Sequence, residues 1–524
     1  MIDPFSEFER YLSMRQKLPL TMREKYLRRE YMILATTGAA AGVAGCLSGS
    51  GNSDENGSGG NNGGDGNNSS GGGNTSGGNG SGDNGSTVES SGENASELPP
   101  AHWLSDYNND AWEQQWDSLT SSFTDETGIA TNIEFVGGSG TGEQRLANLI
   151  QAGDAPDMIT TTTESVIDLR SQDQLQPVND VIDSITPVAG ESVVNMEKDG
   201  DGNLYQVPHG YYVSTYLYRE DIYEALDLSE PSSFDEVLEN ARIIDESDEF
   251  DARGFALPAA QNAPLADGIF RQFYANMGYA RVRWKSDAEE EVELWFPKEP
   301  AVELLNFFKE LAQYSPDPSQ VSFTSVLSNW GAGAYAQTNH LNLWPGGVAA
   351  GIDPEIAKNT GATNVPLDEG VSKAKVPVTL QPDGHFILKP GANTPGSKRL
   401  LEWLYGRDIE TTAGMYGQEP MRFLPSYSKI LETDTFADFE IFQEFPGHLE
   451  KLQKIENIGN EFFGNNKANQ RALHTGAGYY LRGVFFYGNM LNDVVVVGKD
   501  PETAYDETRA QMEERLEEGK SRFG

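Results

Sequence analysis

From His102 onward, short apolar or β-branched runs alternate with longer stretches in which apolar residues return every three or four positions. The runs Ala101–Leu104, Thr131–Val136 and Asp157–Thr161 predict strands. Ala111–Glu126 predicts an amphipathic helix with Trp112, Trp116, Leu119 and Phe123 on one stripe, and Glu143–Ala152 a second helix. Strand and helix alternating at this spacing imply βαβ units and a parallel sheet. Ligands of such sheets sit beyond the carboxyl ends of the strands, so the loops Ser105–Asn109, Gly137–Gly142 and Thr161–Glu164 are expected to face any site. Trp103, Trp112, Trp116, Trp284, Trp295 and Trp403 lie in apolar-periodic stretches and are expected in cores.

The leading segment follows a different pattern. A basic stretch from Met22 precedes the apolar run Ile33–Ala44, too short to span a bilayer at about 20 residues per crossing. It reads as an export signal. Arg28 and Arg29, placed just before the apolar run, resemble a twin-arginine signal, and Val43-Ala44-Gly45-Cys46 resembles a lipobox whose cysteine thiol takes the lipid. Residues 1–21 carry Asp3, Glu7 and Glu9 where positive charge is expected, which suggests translation from Met22. From Gly49 to Ser86 nearly every residue is Gly, Ser or Asn, a composition that cannot bury apolar surface and behaves as a flexible leash up to about residue 98. Asn-x-Ser/Thr sequons recur through it, at Asn56, Asn67, Asn68, Asn74, Asn79, Asn84 and Asn94.

Charge narrows the function. Among 524 residues there are 38 Lys and Arg against 80 Asp and Glu, a net charge of −42. Such a surface repels phosphate, which argues against nucleic acid as a partner. The acids are scattered along the globular part, which fits a halophilic surface, because molar salt screens their repulsion within roughly 3 Å. One cysteine, Cys46, excludes a disulfide framework, and six histidines show no metal-ligand spacing, so neither metal nor cofactor is expected. No GxSxG or HExxH motif is present. The loop Gly137-Gly138-Ser139-Gly140-Thr141-Gly142 lacks the dinucleotide spacing and reads as the glycine-rich wall of a ligand cleft.

Six segments in order resemble extracellular solute-binding proteins of ABC importers, in the sugar-binding family related to maltodextrin-binding protein. Arg145–Ile159 (RLANLIQAGDAPDMI) looks like that family's helix, turn and third strand, and Leu175–Asp183 (LQPVNDVID) like the segment after it. Gly202–Ile222 is similar to the stretch that crosses between lobes, and Pro231–Ala241 to the helix that follows, with Ser232 or Ser233 as its N-cap. Gly384–Leu404 and Gly414–Pro425 resemble the return strand, helix and proline-rich exit. With its leader, the chain resembles a haloarchaeal-type lipoprotein. The resemblance implies a two-lobed α/β fold of the periplasmic-binding-protein type (type II), with residues 99–210 and 378–425 in one lobe and 211–377 and 426–524 in the other. It implies a monomer that is no enzyme, tethered by lipid to the outer face of the membrane, handing a small polar solute to an ABC permease and its ATPase. A surface glycoside hydrolase or a ligand sensor of the same fold is the alternative.

A sugar presents an apolar face and a rim of hydroxyls, so its site needs aromatic platforms and short polar groups. Trp344 occupies the stretch where the family places a stacking aromatic, after a helix that the resemblance puts at Gly331–Ala336. Tyr211 and Tyr212 follow Pro208-His209-Gly210, and by alternation one should face the cleft. Asp106, Tyr107 and Asn108 follow the first strand, and Ser139, Thr141 and Glu164 the next two. Arg422 stands where the family often has a cleft arginine. Trp330 is the last candidate, and its surroundings fit a core position equally well. His209 and His385 are expected to be hydrogen-bonded structural residues.

Overall fold

The computed structural model describes residues 97–523, apart from 108–109, 137–140, 195, 197, 200, 289, 373–380, 466–471 and 474. The expectations for the leader, for Arg28, Arg29 and Cys46, and for the linker fall outside these residues. Among the described residues no helix is long and apolar enough to cross a membrane.

The predicted βαβ start forms as expected. Strands β1 (Ala101–Ser105), β2 (Thr131–Phe135) and β3 (Met158–Thr162) run parallel, with Trp103 opposite Ile133 on one side and Met158 on the other. The helices Asp110–Thr127 and Thr141–Ala152 connect them. Trp112, Trp116 and Phe123 are fully buried, as are Trp103 and nearly all of Trp403, whereas Trp284 and Trp295 are half-buried at the edge of a hairpin.

The chain then builds β4 (Val207–Tyr212), β5 (Ser214–Arg219), the hairpin β6 (Val282–Trp284) and β7 (Val292–Leu294), β8 (Gln337–Leu341), β9 (Thr360–Thr363), β10 (Gln381–Ile387) and β11 (Leu424–Pro425). Six of the eleven described strands form one sheet in the order β11-β4-β10-β3-β1-β2, and three form another in the order β8-β5-β9. In the first sheet β10 returns antiparallel to both β3 and β4. The second helix after β5 starts as predicted: Ser233 caps Phe234–Asp245 by accepting from the Glu236 N–H, and the Glu236 carboxylate accepts from Ser232 in return.

A single residue, Val213, separates β4 from β5 and so carries the chain from one sheet to the other. Asn342 fixes this crossing: its side chain accepts from the Val213 N–H at 2.8 Å and donates to the carbonyls of Tyr211 (3.1 Å) and Arg422 (2.8 Å). Its backbone has φ 49°, a left-handed conformation that asparagine tolerates better than most side chains. At Gly210 on β4 any Cβ would stand 2.8 Å from Phe423, so the absence of a side chain there lets Phe423 pack flat on the strand.

One expected element is displaced. The helix anticipated at Gly331–Ala336 instead spans Phe323–Gly331, opened by a Ser322/Ser325 capping box, and the following residues turn into β8. Gly333, at φ 77°, ends the helical path. After β11 the short helix Asp434–Ala437 still lays Phe436 near Tyr416, and only the long helix Pro446–Asn465 reaches the second sheet, where Lys451 bonds Glu220 and the Thr360 carbonyl, each at 2.8 Å.

Candidate functional site

The carboxyl end of β1, the last residue of β4, the start of β10 and the approach to β11 converge beside the crossing at Val213. Asp106 and Tyr107 leave β1. Tyr212 closes β4, and its hydroxyl donates to Asp383 Oδ2 on β10 at 3.0 Å. Arg422 donates from Nη1 to Glu419 Oε2 at 2.8 Å and from Nε to the Tyr212 hydroxyl at 3.4 Å. Glu419 is held in turn by the Trp112 indole N–H at 2.6 Å.

The second sheet contributes Trp344, the first residue of the helix Trp344–Ala350 after β8. The Arg422 guanidinium lies 4.3 Å from the centroid of the Trp344 ring and 5.2 Å from that of Tyr107, so one cation bridges aromatics from the two sheets. Phe323 packs edge-on against Trp344 at 5.1 Å and holds its plane.

In this group Asp106 Oδ1, Tyr107 Oη and Trp344 Nε1 are buried without a hydrogen-bond partner among the described residues. Buried polar atoms are nearly always satisfied, so unpartnered atoms on three neighbouring side chains set this spot apart. Burial, reinforced by the nearby Asp383 charge and opposed by Arg422, pushes the Asp106 carboxyl up to about 8. At neutral pH it therefore donates as well as accepts. Burial and the same two carboxylates hold the Tyr107 phenol well above its ordinary range, so it stays a neutral donor.

The other expected site residues divide. Tyr211 is fully buried with Leu424 opposite it on β11, and Tyr212, on the other face of β4, is the one that reaches Asp383 and Arg422. Trp330 is a correction: it is fully buried on the inner face of Phe323–Gly331 and donates from Nε1 to Thr360 Oγ1 at 3.0 Å, which makes it a core residue. Asn108 and Ser139 lie outside the described residues. Thr141 begins a helix and Glu164 a single 3-10 turn, and only their backbones are described. Asp383, Glu419 and Asn342 join the site unannounced. Their signal in sequence is nil, because each is one polar residue among many and its role comes from a partner more than 100 residues away.

His209 and His385 are buried and hydrogen-bonded through Tyr405, as expected of structural histidines. Among the described residues no three His, Cys, Asp or Glu side chains gather to hold a metal ion.

Residues carried by both sheets meet here, and sequence comparison supplies the family. The profile of the bacterial extracellular solute-binding proteins matches residues 106–410. The chain belongs to that family, a family of binding proteins. No curated protein matches it in sequence. Among solved structures it is similar to a solute-binding protein of Thermotoga lettingae bound to α-D-tagatose (16% identity, 79% of this chain and 98% of that one, TM-score 0.59). Two others are a solute-binding protein of Agrobacterium radiobacter with ribitol (16%, 79% and 100%, 0.60) and a sugar transporter protein of Arthrobacter chlorophenolicus with laminaribiose (14%, 79% and 98%, 0.61). At these identities the likeness establishes the fold, two lobes of the periplasmic solute-binding type.

Proposed function

We propose that this protein captures a small, hydroxyl-rich solute, a sugar or polyol, between its lobes and delivers it to an ABC permease. The observation that carries this reading is the set of unsatisfied atoms on Asp106, Tyr107 and Trp344, flanked by aromatic faces and by the Arg422 guanidinium. An aromatic face covers the C–H side of a sugar ring while a carboxyl and indole N–H meet its rim. The sugars and polyols bound by the structurally similar proteins support the same class of solute.

In this reading the lobes divide near Val213, and residues 99–210 with 378–425 close against the remainder. The protein performs no chemistry on the solute. Export by the twin-arginine route, with lipid on Cys46, would tether a monomer to the extracellular face of the membrane, the glycine-rich leash giving it reach to the permease.

A thermal-shift screen of residues 99–524 against sugars and polyols tests the proposal, followed by small-angle scattering with the best ligand. Reversible 1:1 binding with a smaller radius of gyration is the expected result. No shift with any of them, in folded protein free of co-purified ligand, would overturn the sugar reading, and slow hydrolysis of a bound oligosaccharide would favour an enzyme instead.

A further inference from the structure

Arg422 lies between Tyr107 and Trp344, and a guanidinium in a solute site ordinarily favours an acidic solute, whose carboxylate or phosphate fits its fork of N–H donors. Here a carboxylate of the chain itself holds that place. Glu419 Oε2 accepts from Arg422 Nη1 at 2.8 Å, and the same oxygen accepts from the Trp112 indole N–H at 2.6 Å. Trp112 is fully buried, so the carboxylate is anchored from the core. The pairing is also built into the backbone. The Arg422 N–H donates to the Glu419 carbonyl at 2.9 Å and closes a turn, and the Arg422 carbonyl accepts from Asn342 at 2.8 Å, which pins that turn to the crossing between the sheets. With 15% and 21% of their side chains exposed, the two ions are sheltered enough for their attraction to outlast screening by salt.

The other charges nearby have the sign an acidic solute would carry. The Tyr212 hydroxyl, which accepts from Arg422 Nε at 3.4 Å, donates to the Asp383 carboxylate. Asp106 reports the local potential: burial first, then Asp383 and more weakly Glu143, oppose its ionisation, and Arg422 does not cancel them. A site that keeps its own carboxyl protonated at neutral pH is a poor host for a second anion, whereas a hydroxyl brings no charge to repel.

We infer that Glu419 is a specificity-determining residue: it occupies the anion seat of Arg422, so the site admits uncharged sugars and polyols and rejects uronic acids and sugar phosphates. The inference rests on the reading of this cleft as the solute site. An acidic solute reaches Arg422 only by displacing Glu419, which strands a half-buried carboxylate beside the incoming charge, and discrimination of this kind works by penalising the wrong partner.

The test is calorimetric titration of the full exported chain with matched probes: glucose, galactose and sorbitol against glucuronate, galacturonate and sorbitol 6-phosphate. Where a neutral probe binds, its acidic counterpart should bind at least about tenfold more weakly. In Glu419→Gln, which keeps the shape and an acceptor for Trp112, that gap should narrow by about tenfold while the neutral probe stays within about threefold of wild type. An acid that binds the wild type as tightly as its neutral counterpart overturns the inference and leaves the cleft a solute site. An unchanged gap in folded Glu419→Gln overturns the role given to Glu419; should that variant fail to fold, Glu419→Asp, which draws the carboxylate back from Arg422, takes its place with the same expected direction. No binding of any probe, neutral or acidic, overturns the sugar reading itself and the inference with it.

Discussion

Strand β4 carries two polar residues only three positions apart that belong to hydrogen-bonded groups of different completeness. His209 belongs to a chain of bonds in the core: the Trp103 indole donates to Thr160 Oγ1 (2.7 Å), which meets His385 Nδ1 (2.6 Å), and the Tyr405 hydroxyl joins His385 Nε2 to His209 Nδ1, each at 2.8 Å. A single direction of donation runs from Trp103 to His209 with both imidazoles neutral, which agrees with the burial that drives His385 down to about 3 and His209 well below its usual value. Tyr212 belongs to the group around Arg422, where Asp106, Tyr107 and Trp344 keep atoms unpaired. The core chain is bonded along its length and leaves open only its last atom, His209 Nε2, whereas the group around Arg422 is open on three side chains.

The largest expected effect comes from cutting the core chain. Tyr405→Phe would strand one nitrogen on each histidine, lowering unfolding free energy by about 2–4 kcal/mol in denaturant titration while solute affinity stays within about threefold. A loss of affinity as large as the loss of stability would dissolve the distinction between the two groups.

The reverse is expected at Asp106. Asp106→Asn should weaken solute binding by roughly 10- to 100-fold, the value of a hydrogen bond to a carboxyl group, measured by calorimetry. Its effect on stability should depend on pH. The folded state holds the Asp106 proton up to about pH 8 while the unfolded chain releases it near 4, so the wild type loses stability as pH rises across that window. The variant has no such loss. Its Tm relative to wild type should climb from pH 4 to 8 and level off above, and a difference independent of pH would refute the assignment.

The histidines give the opposite slope. His209 and His385, with His340 and His448 each lowered to about 4 by burial, stay neutral in the fold while the unfolded chain protonates them below about 6.5. Stability should therefore fall as pH drops from 6.5 toward 4, seen in the same Tm series. The smallest effect is expected at the rim: Trp344→Leu should reduce solute affinity by about five- to tenfold, the worth of one aromatic face, and leave Tm within about 2 °C.

Much of the first sheet was legible because periodicity is local. The stripe of Trp112, Trp116 and Phe123 reports only which face is buried, and the structure buries it; the short runs of β1 and β3 are buried almost throughout, while β2 at the sheet edge is half-buried. Trp330 shows the limit. Its neighbourhood is apolar on either reading, and what sends it inward is the true helix phase, set by the Ser322 cap nine residues before Gly331 and by the turn at Gly333. Asp383 and Glu419 were invisible for another reason, since a chain this rich in acids gives no hint of which two will meet Tyr212 and Trp112.

The sequence by itself determined the alternation of strands and helices, the family, the acidic surface and the aromatic and arginine candidates Tyr107, Tyr212, Trp344 and Arg422, because these depend on residue type and short spacing. Only the tertiary structure decided which of them meet. Arg422 and Trp344 stand 78 positions apart, and their contact exists because Asn342 fixes the crossing between the sheets and Gly210 lets Phe423 lie against β4. Which polar atoms stay unpaired is likewise a property of packing, since satisfaction depends on neighbours that long-range closure alone supplies.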